Sequence, residues 1–249
     1  MIHMEHLSVA YGKKSVIDDL SLTFRDGELA ALIGPNGSGK SSLLKAVARI
    51  LPYKGVITMD GENIENMSRK CYARRLAMVG QFNEMAFDMP VLDMVLMGRT
   101  PYKSLLEKDT KKDRAMAFDA LDAVGMRSYA ALSIRALSGG EKQRAVLARA
   151  LAQDTDHLLL DEATNHLDIY YRLKLLSTVK ATGLTVVAAL HDVNLALAYG
   201  ERIVALKGGK ILFDTTPGEV TPAMIEALYA TPCTIRSTED GPFVLFKTL

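Results

Sequence analysis

The sequence predicts an α/β fold in which buried parallel strands form a core, an antiparallel β subdomain precedes it, and a helical subdomain is inserted between the core strands. Three observations carry this expectation. Continuously apolar runs at residues 29–33, 157–160 and 184–190 read as strands covered on both faces. The string GPNGSGKS at residues 34–41 joins the first of these runs to a stretch with helical spacing. Between about 86 and 153 the composition changes to Met, Ala, Leu, Lys and Asp with the helical rhythm of apolar positions.

In chain order, residues 7–11 and 19–24 alternate apolar and polar side chains as half-buried strands do, with Gly12, Lys13 and Lys14 between them. Residues 41–50 follow the glycines as a helix, and residues 111–124 and 140–152 supply helices of the insertion. The later core strands end in Asp161-Glu162 and in His191-Asp192. Polar residues at the carboxyl ends of parallel strands mark the place where such sheets hold a ligand. The expected organisation is one domain over residues 1–249, with a core of 1–85 and 154–249 and a helical subdomain of about 86–153.

Composition narrows the function. With 249 residues and 49% apolar side chains, a sizeable core is expected. Thirty basic and twenty-nine acidic residues give a formal charge of +1, which predicts neither a nucleic-acid face nor a polybasic anchor. Cys71 and Cys233 are too few for a disulfide framework or a zinc site, so they read as structural thiols of a reducing compartment. No basic segment followed by an apolar one opens the chain, and no run reaches the roughly 18 apolar residues of a membrane span. The expectation is a chain neither exported nor membrane-spanning by itself. His3, His6, His157 and His166 have no cysteine or carboxylate partners at ligand spacing and read as structural.

Residues 34–41 meet the pattern G-x4-G-K-[ST], a glycine loop whose backbone N–H groups can converge on phosphate. Lys40 can reach the β and γ phosphates, Ser41 can ligate Mg²⁺, and the helix that follows points its positive end at the same charge. Asp161 and Glu162 stand where an Mg²⁺-organising carboxylate and a general base for water are wanted. Two adjacent carboxylates alone are ordinary solvated charges; beside a phosphate loop they acquire a task. Ser138, Gly139, Gly140 and Glu141 open a second helix whose start seeks an anion, although a serine before a helix is by itself an N-cap.

Taken in order from Tyr11 to about Tyr229, these segments resemble the signature set of ATP-binding cassette (ABC) ATPases, which implies a P-loop NTPase core of ABC type. The resemblance implies that Tyr11 stacks on adenine and that Gly34, Pro35, Asn36, Gly37, Ser38, Gly39, Lys40, Ser41 and Ser42 hold ATP. Gln81 looks like the glutamine that contacts Mg²⁺ and senses the γ phosphate, and Ser138 to Glu141 look like the family signature. Asp161 and Glu162 look like the metal carboxylate and catalytic base, Asp168 like the D-loop aspartate and His191 like the switch histidine. Taken singly, Tyr11 reads as a strand aromatic, Gln81 as a surface amide and His191 as an ordinary histidine. One departure is Ala163, where the family usually has proline; it removes no reacting group.

The resemblance further implies a head-to-tail homodimer around two ATP, in which each signature completes the partner's site. Partners would be integral-membrane permease subunits and, indirectly, a substrate-binding protein, with no nucleic acid. The place implied is the cytoplasmic face of the membrane. The Met- and Phe-rich residues 82–91, with 91–102 and 216–225, look most like importers of ferric siderophore, heme or cobalamin, and residues 82–91 suit a partner's helix. Internal packing is the other reading of that stretch. Alternatives are an exporter subunit and a soluble cassette such as a cluster-assembly factor. A chromosome-type cassette is disfavoured because no sustained heptads separate Lys40 from Asp161.

Overall fold

The computed structural model describes residues 1–80, 88–104, 106–165, 167–239 and 241–248. Its first elements are β1 (Ile2–Tyr11), β2 (Lys14–Phe24), β3 (Leu29–Ile33), α1 (Lys40–Val47), β4 (Lys54–Met59), β5 (Glu62–Asn63), α2 (Arg69–Ala73) and β6 (Leu76–Val79). Next come α3 (Val91–Leu96), α4 (Lys111–Ala123), α5 (Gly139–Ala152), β7 (His157–Asp161), α6 (Ile169–Ala181), β8 (Thr185–Ala189) and α7 (Val193–Tyr199). The chain closes with β9 (Arg202–Lys207), β10 (Lys210–Thr215), α8 (Pro222–Tyr229), β11 (Cys233–Thr238) and β12 (Gly241–Phe246). Two compact units result: Met1–Asn66 with Leu160–Glu162 and Thr185–Leu249, and Met67–Leu159 with Ala163–Leu184.

The first unit contains an antiparallel sheet in the order β2-β1-β4-β5. Its apolar face does not keep a strict period of two. Met4 pairs with Leu22 and Leu7 with Leu20, so β1 carries one extra residue there; Leu7 to Val9 then faces Leu20 to Ile17, so β2 carries the next. These are paired β-bulges, and His6 and Asp19 adopt left-handed φ values of 50° and 51° to accommodate them. The two side chains meet, with His6 Nδ1 2.7 Å from Asp19 Oδ1. Alternation therefore reveals the strands only from Leu7 and Asp19 onward, whereas they begin at Ile2 and Lys14.

A second sheet of this unit runs β10-β9-β3-β8, with β3 parallel to both β8 and β9. All five residues of β3 and of β8 are buried, which is why both read as unbroken apolar runs. α1 ends at Val47 rather than at residue 50, since Arg49 turns to a φ of 56°. α7, α8, β9, β10 and the hairpin β11-β12 complete the unit.

The second unit carries α2 to α6, β6 and the start of β7, so the helices at 111–124 and 140–152 both lie in it. α4 and α5 each open with a capping box, Thr110 with Asp113 and Ser138 with Glu141, two reciprocal bonds that satisfy orphan N–H groups. Its anchor is Arg99, 4% exposed. Nε donates to Asp113 Oδ1 at 3.2 Å, Nη1 donates to the Ala152 carbonyl at 2.9 Å, and the guanidinium lies 4.0 Å from the Tyr102 ring centroid. Hydrogen bonds from Thr110, then from Arg99, hold the Asp113 carboxyl down to about 2.

Truncating Arg99 to Ala removes one donor from the buried Asp113 carboxylate, which keeps those of Thr110, and leaves the Ala152 carbonyl without this partner, so the variant should lose about 2–3 kcal/mol of stability in urea unfolding. Because the Asp113 carboxyl is depressed in the folded state, its contribution is present above the unfolded value of about 3.9 and should fade as pH falls toward 2. A loss under about 1 kcal/mol would place Arg99 among ordinary surface cations.

Candidate active site

The site grows from the end of β3. Gly34 takes a φ of +148°, and a Cβ there would lie 2.2 Å from the Leu206 carbonyl oxygen of β9, so only glycine lets the chain leave the strand at this point. Gly39, at φ +108°, caps α1 without a side chain. Between them the loop curls so that residues 36–42, Val16, Glu162 and His191 line one cavity of about 350 Å³. All of these residues belong to the first unit.

Lys40 is 4% exposed, and its ammonium donates to the Gly34 carbonyl at 2.7 Å and the Pro35 carbonyl at 3.3 Å. Burial lowers its pKa, while Glu162 and Asp161 pull in the opposite direction. Ser38 Oγ in the loop and Asp161 Oδ1 at the end of β7 are two of the buried polar atoms with no hydrogen-bond partner among the described residues. A buried, unsatisfied carboxylate oxygen is costly and fits a hard cation. Glu162 closes β7 in a left-handed turn with φ 55°, and His191 Nε2 stands 2.7 Å from Glu162 Oε1, a distance at which Nε2–H donates to the carboxylate. A left-handed conformation at a non-glycine residue costs free energy and concentrates at functional sites.

The other expected residues are placed differently. Tyr11, at the end of β1, is 49% exposed and its hydroxyl lies 3.5 Å from Ser42 Oγ. Ser138, Gly139, Gly140, Glu141 and Asp168 belong to the second unit. There Ser138 and Asp168 serve as helix N-caps, Ser138 Oγ receiving the Glu141 N–H and Asp168 Oδ1 the Tyr171 N–H at 3.1 Å. The Ser138 bonds hold the Glu141 carboxyl below its usual value. Gln81 and residues 82–87 of the stretch expected to receive a partner's helix lie outside the described residues. Val16 is a cavity residue that the motifs do not reveal; a valine in a strand carries no signal in one sequence.

A glycine loop between a buried strand and a helix, with a buried lysine and strand-end carboxylates, defines the class as phosphate-loop nucleotide-binding α/β proteins. Residues 17–165 match the ABC transporter family. The chain belongs to that family, as one of its ATP-binding components, whose members hydrolyse ATP. It is 38% identical over 237 residues to the ferric enterobactin transport ATP-binding protein FepC of Escherichia coli (strain K12), covering 93% of this chain and 88% of that protein. The solved structure described as an inward-facing metal-chelate type ABC transporter superposes with a TM-score of 0.84 at 27% identity, covering all of this chain and 97% of the other. The dimeric ABC cassette MJ0796, bound to ADP and Pi, superposes with a TM-score of 0.77 at 26% identity, covering 87% of this chain and 99% of that one.

Gly34→Ala should weaken binding of a fluorescent ATP analogue by about tenfold or more, since both the contact with Leu206 and the φ of Gly34 oppose the added methyl. Binding within about twofold of the unaltered chain would show that the loop tolerates a side chain there.

Proposed function

We propose that this chain is the ATP-hydrolysing subunit of an importer. In this reading it pairs head to tail with a second copy around two ATP and drives an integral-membrane permease that brings in a ferric siderophore or related metal chelate. One observation carries the reading: a single cavity joins the phosphate loop, Lys40, Glu162 and His191, with His191 and Glu162 2.7 Å apart. Support for the cargo comes from the ferric enterobactin relative and the metal-chelate type neighbour. Support for the pairing comes from the dimeric cassette.

The residues would divide the work as follows. Backbone N–H groups of residues 37–41 receive the phosphates, and Lys40 turns from the Gly34 and Pro35 carbonyls to the β and γ oxygens. Asp161 and Ser41, with Gln81, would hold Mg²⁺; the buried free oxygen of Asp161 fits that task. When bound, the ion neutralises phosphate charge and polarises the γ-phosphoryl group. Glu162 takes a proton from a water whose oxygen attacks the γ phosphorus, the bond to the ADP oxygen breaks, and His191 holds the Glu162 carboxylate in place. Tyr11 offers its exposed ring to adenine.

The first turn of α5, opened by Ser138, Gly139, Gly140 and Glu141, would meet the γ phosphate held by the second copy, with Asp168 nearby at the junction. ATP then binds the pair better than the single chain, and hydrolysis releases it. Work on the permease would follow from this opening and closing at the cytoplasmic face, with a substrate-binding protein delivering the chelate. Among the described residues no helix is long and apolar enough to cross a membrane, so the attachment proposed is peripheral.

Glu162→Gln should keep ATP affinity within about twofold, lower turnover by about a hundredfold or more, and leave an ATP-stabilised dimer in light scattering. Cells whose only copy carries this substitution should lose uptake of labelled ferric siderophore. Full turnover in the variant would remove Glu162 from the role of base, and intact uptake with turnover lost would remove the siderophore from the role of cargo.

A further inference from the structure

Helix α7 starts two residues after His191, and its first turn is fixed from two sides. Asp192 is the N-cap, its Oδ1 accepting the Asn194 N–H at 2.9 Å and the Leu195 N–H at 3.2 Å. The Asn194 side chain faces the C-terminal hairpin instead of solvent. Its Nδ2 donates to the Val244 carbonyl at 3.2 Å, and its Oδ1 accepts the Val244 N–H at 2.7 Å. One amide thus satisfies both backbone groups of a residue that is 2% exposed, as a neighbouring strand would.

The hairpin is anchored separately from α7. The Cys233 N–H donates to Glu226 Oε1 at 3.0 Å, and the Tyr229 ring of α8 meets Phe246 edge-on at 6.0 Å. Burial pushes the Tyr229 hydroxyl up to about 12, with the Gly34 amide working against the shift. The C-terminal hairpin therefore meets the chain three residues after His191, through Asn194.

We propose that Asn194 is a positioning residue for hydrolysis: by bonding to Val244 it ties the first turn of α7 to the hairpin and so sets His191 against Glu162. The inference rests on the reading in which Glu162 and His191 act on ATP. Removing the amide leaves the Val244 N–H and carbonyl buried and unpaired, which should release the turn that carries His191. The bonds of Lys40 to the loop carbonyls are untouched by the change, so nucleotide binding should be spared.

The test compares Asn194→Leu and Asn194→Asp with the unaltered chain. For Asn194→Leu, which keeps the γ-branched shape without the hydrogen-bonding atoms, kcat should fall about tenfold or more while the Kd for ATP stays within about twofold. The imidazole NMR signal of His191 should move in the nucleotide-free protein, with those of His3 and His6 unchanged. In Asn194→Asp a protonated carboxyl can donate to the Val244 carbonyl and accept its N–H, whereas the carboxylate can only accept. With an ordinary value of about 3.9 that carboxyl is ionised at neutral pH and keeps only the bond from the Val244 N–H, so its kcat should fall between those of Asn194→Leu and the unaltered chain. Unchanged kcat in Asn194→Leu, an unmoved His191 signal, or a parallel loss of ATP affinity would each overturn the proposal. Absence of turnover in the unaltered chain would instead reject the hydrolytic reading, and the His191 signal would still decide whether Asn194 sets the ring.

Discussion

The constraint on which the site depends is the burial of a charged lysine. Lys40 is almost wholly removed from solvent and its proton affinity is lowered by that burial, yet Asp161 and Glu162 favour its charge. A buried ammonium is costly, and two loop carbonyls that accept its protons only partly offset the cost. The loop must therefore close tightly upon itself. Gly34 is indispensable to that closure because the strand beside it leaves no room for a Cβ.

From this constraint the chemistry follows. A cation held ready among carbonyls can be transferred to phosphate oxygens with little reorganisation, which is how preorganised sites stabilise developing charge. The carboxylates that temper Lys40 also stand where a cation and a reacting water would be placed, so one arrangement of charges serves both the resting loop and the proposed hydrolysis. His191 secures Glu162 within the same cavity. The strain of a left-handed Glu162 is held by the buried strand β7 on its amino-terminal side.

Much of this was legible in the sequence, for identifiable reasons. β3 and β8 announce themselves because strands buried on both faces leave unbroken apolar runs, and α4 and α5 because they are regular helices with capping boxes. The early parts of β1 and β2 escape the period-two rule because the bulges at His6 and Asp19 change the spacing from two to three. The short strands β9 to β12 and helix α7 carry no motif. The glycine loop, the carboxylate pair and His191 are readable since their chemistry requires particular residue types at strand ends. Val16 and Asn194 are not, because a strand valine and a helix asparagine gain their meaning only from what the chain brings to them.

The central claim, that Lys40 is kept buried for phosphate and not for the stability of the fold, is tested most directly by thermal unfolding of Lys40→Met with and without ATP and Mg²⁺. Without nucleotide the variant should melt within about two degrees of the unaltered chain, since removing a buried charge offsets the lost carbonyl bonds. With nucleotide the unaltered chain should gain several degrees, and the variant almost none. A variant that keeps the full nucleotide-dependent gain, or that unfolds far earlier without nucleotide, would contradict the account.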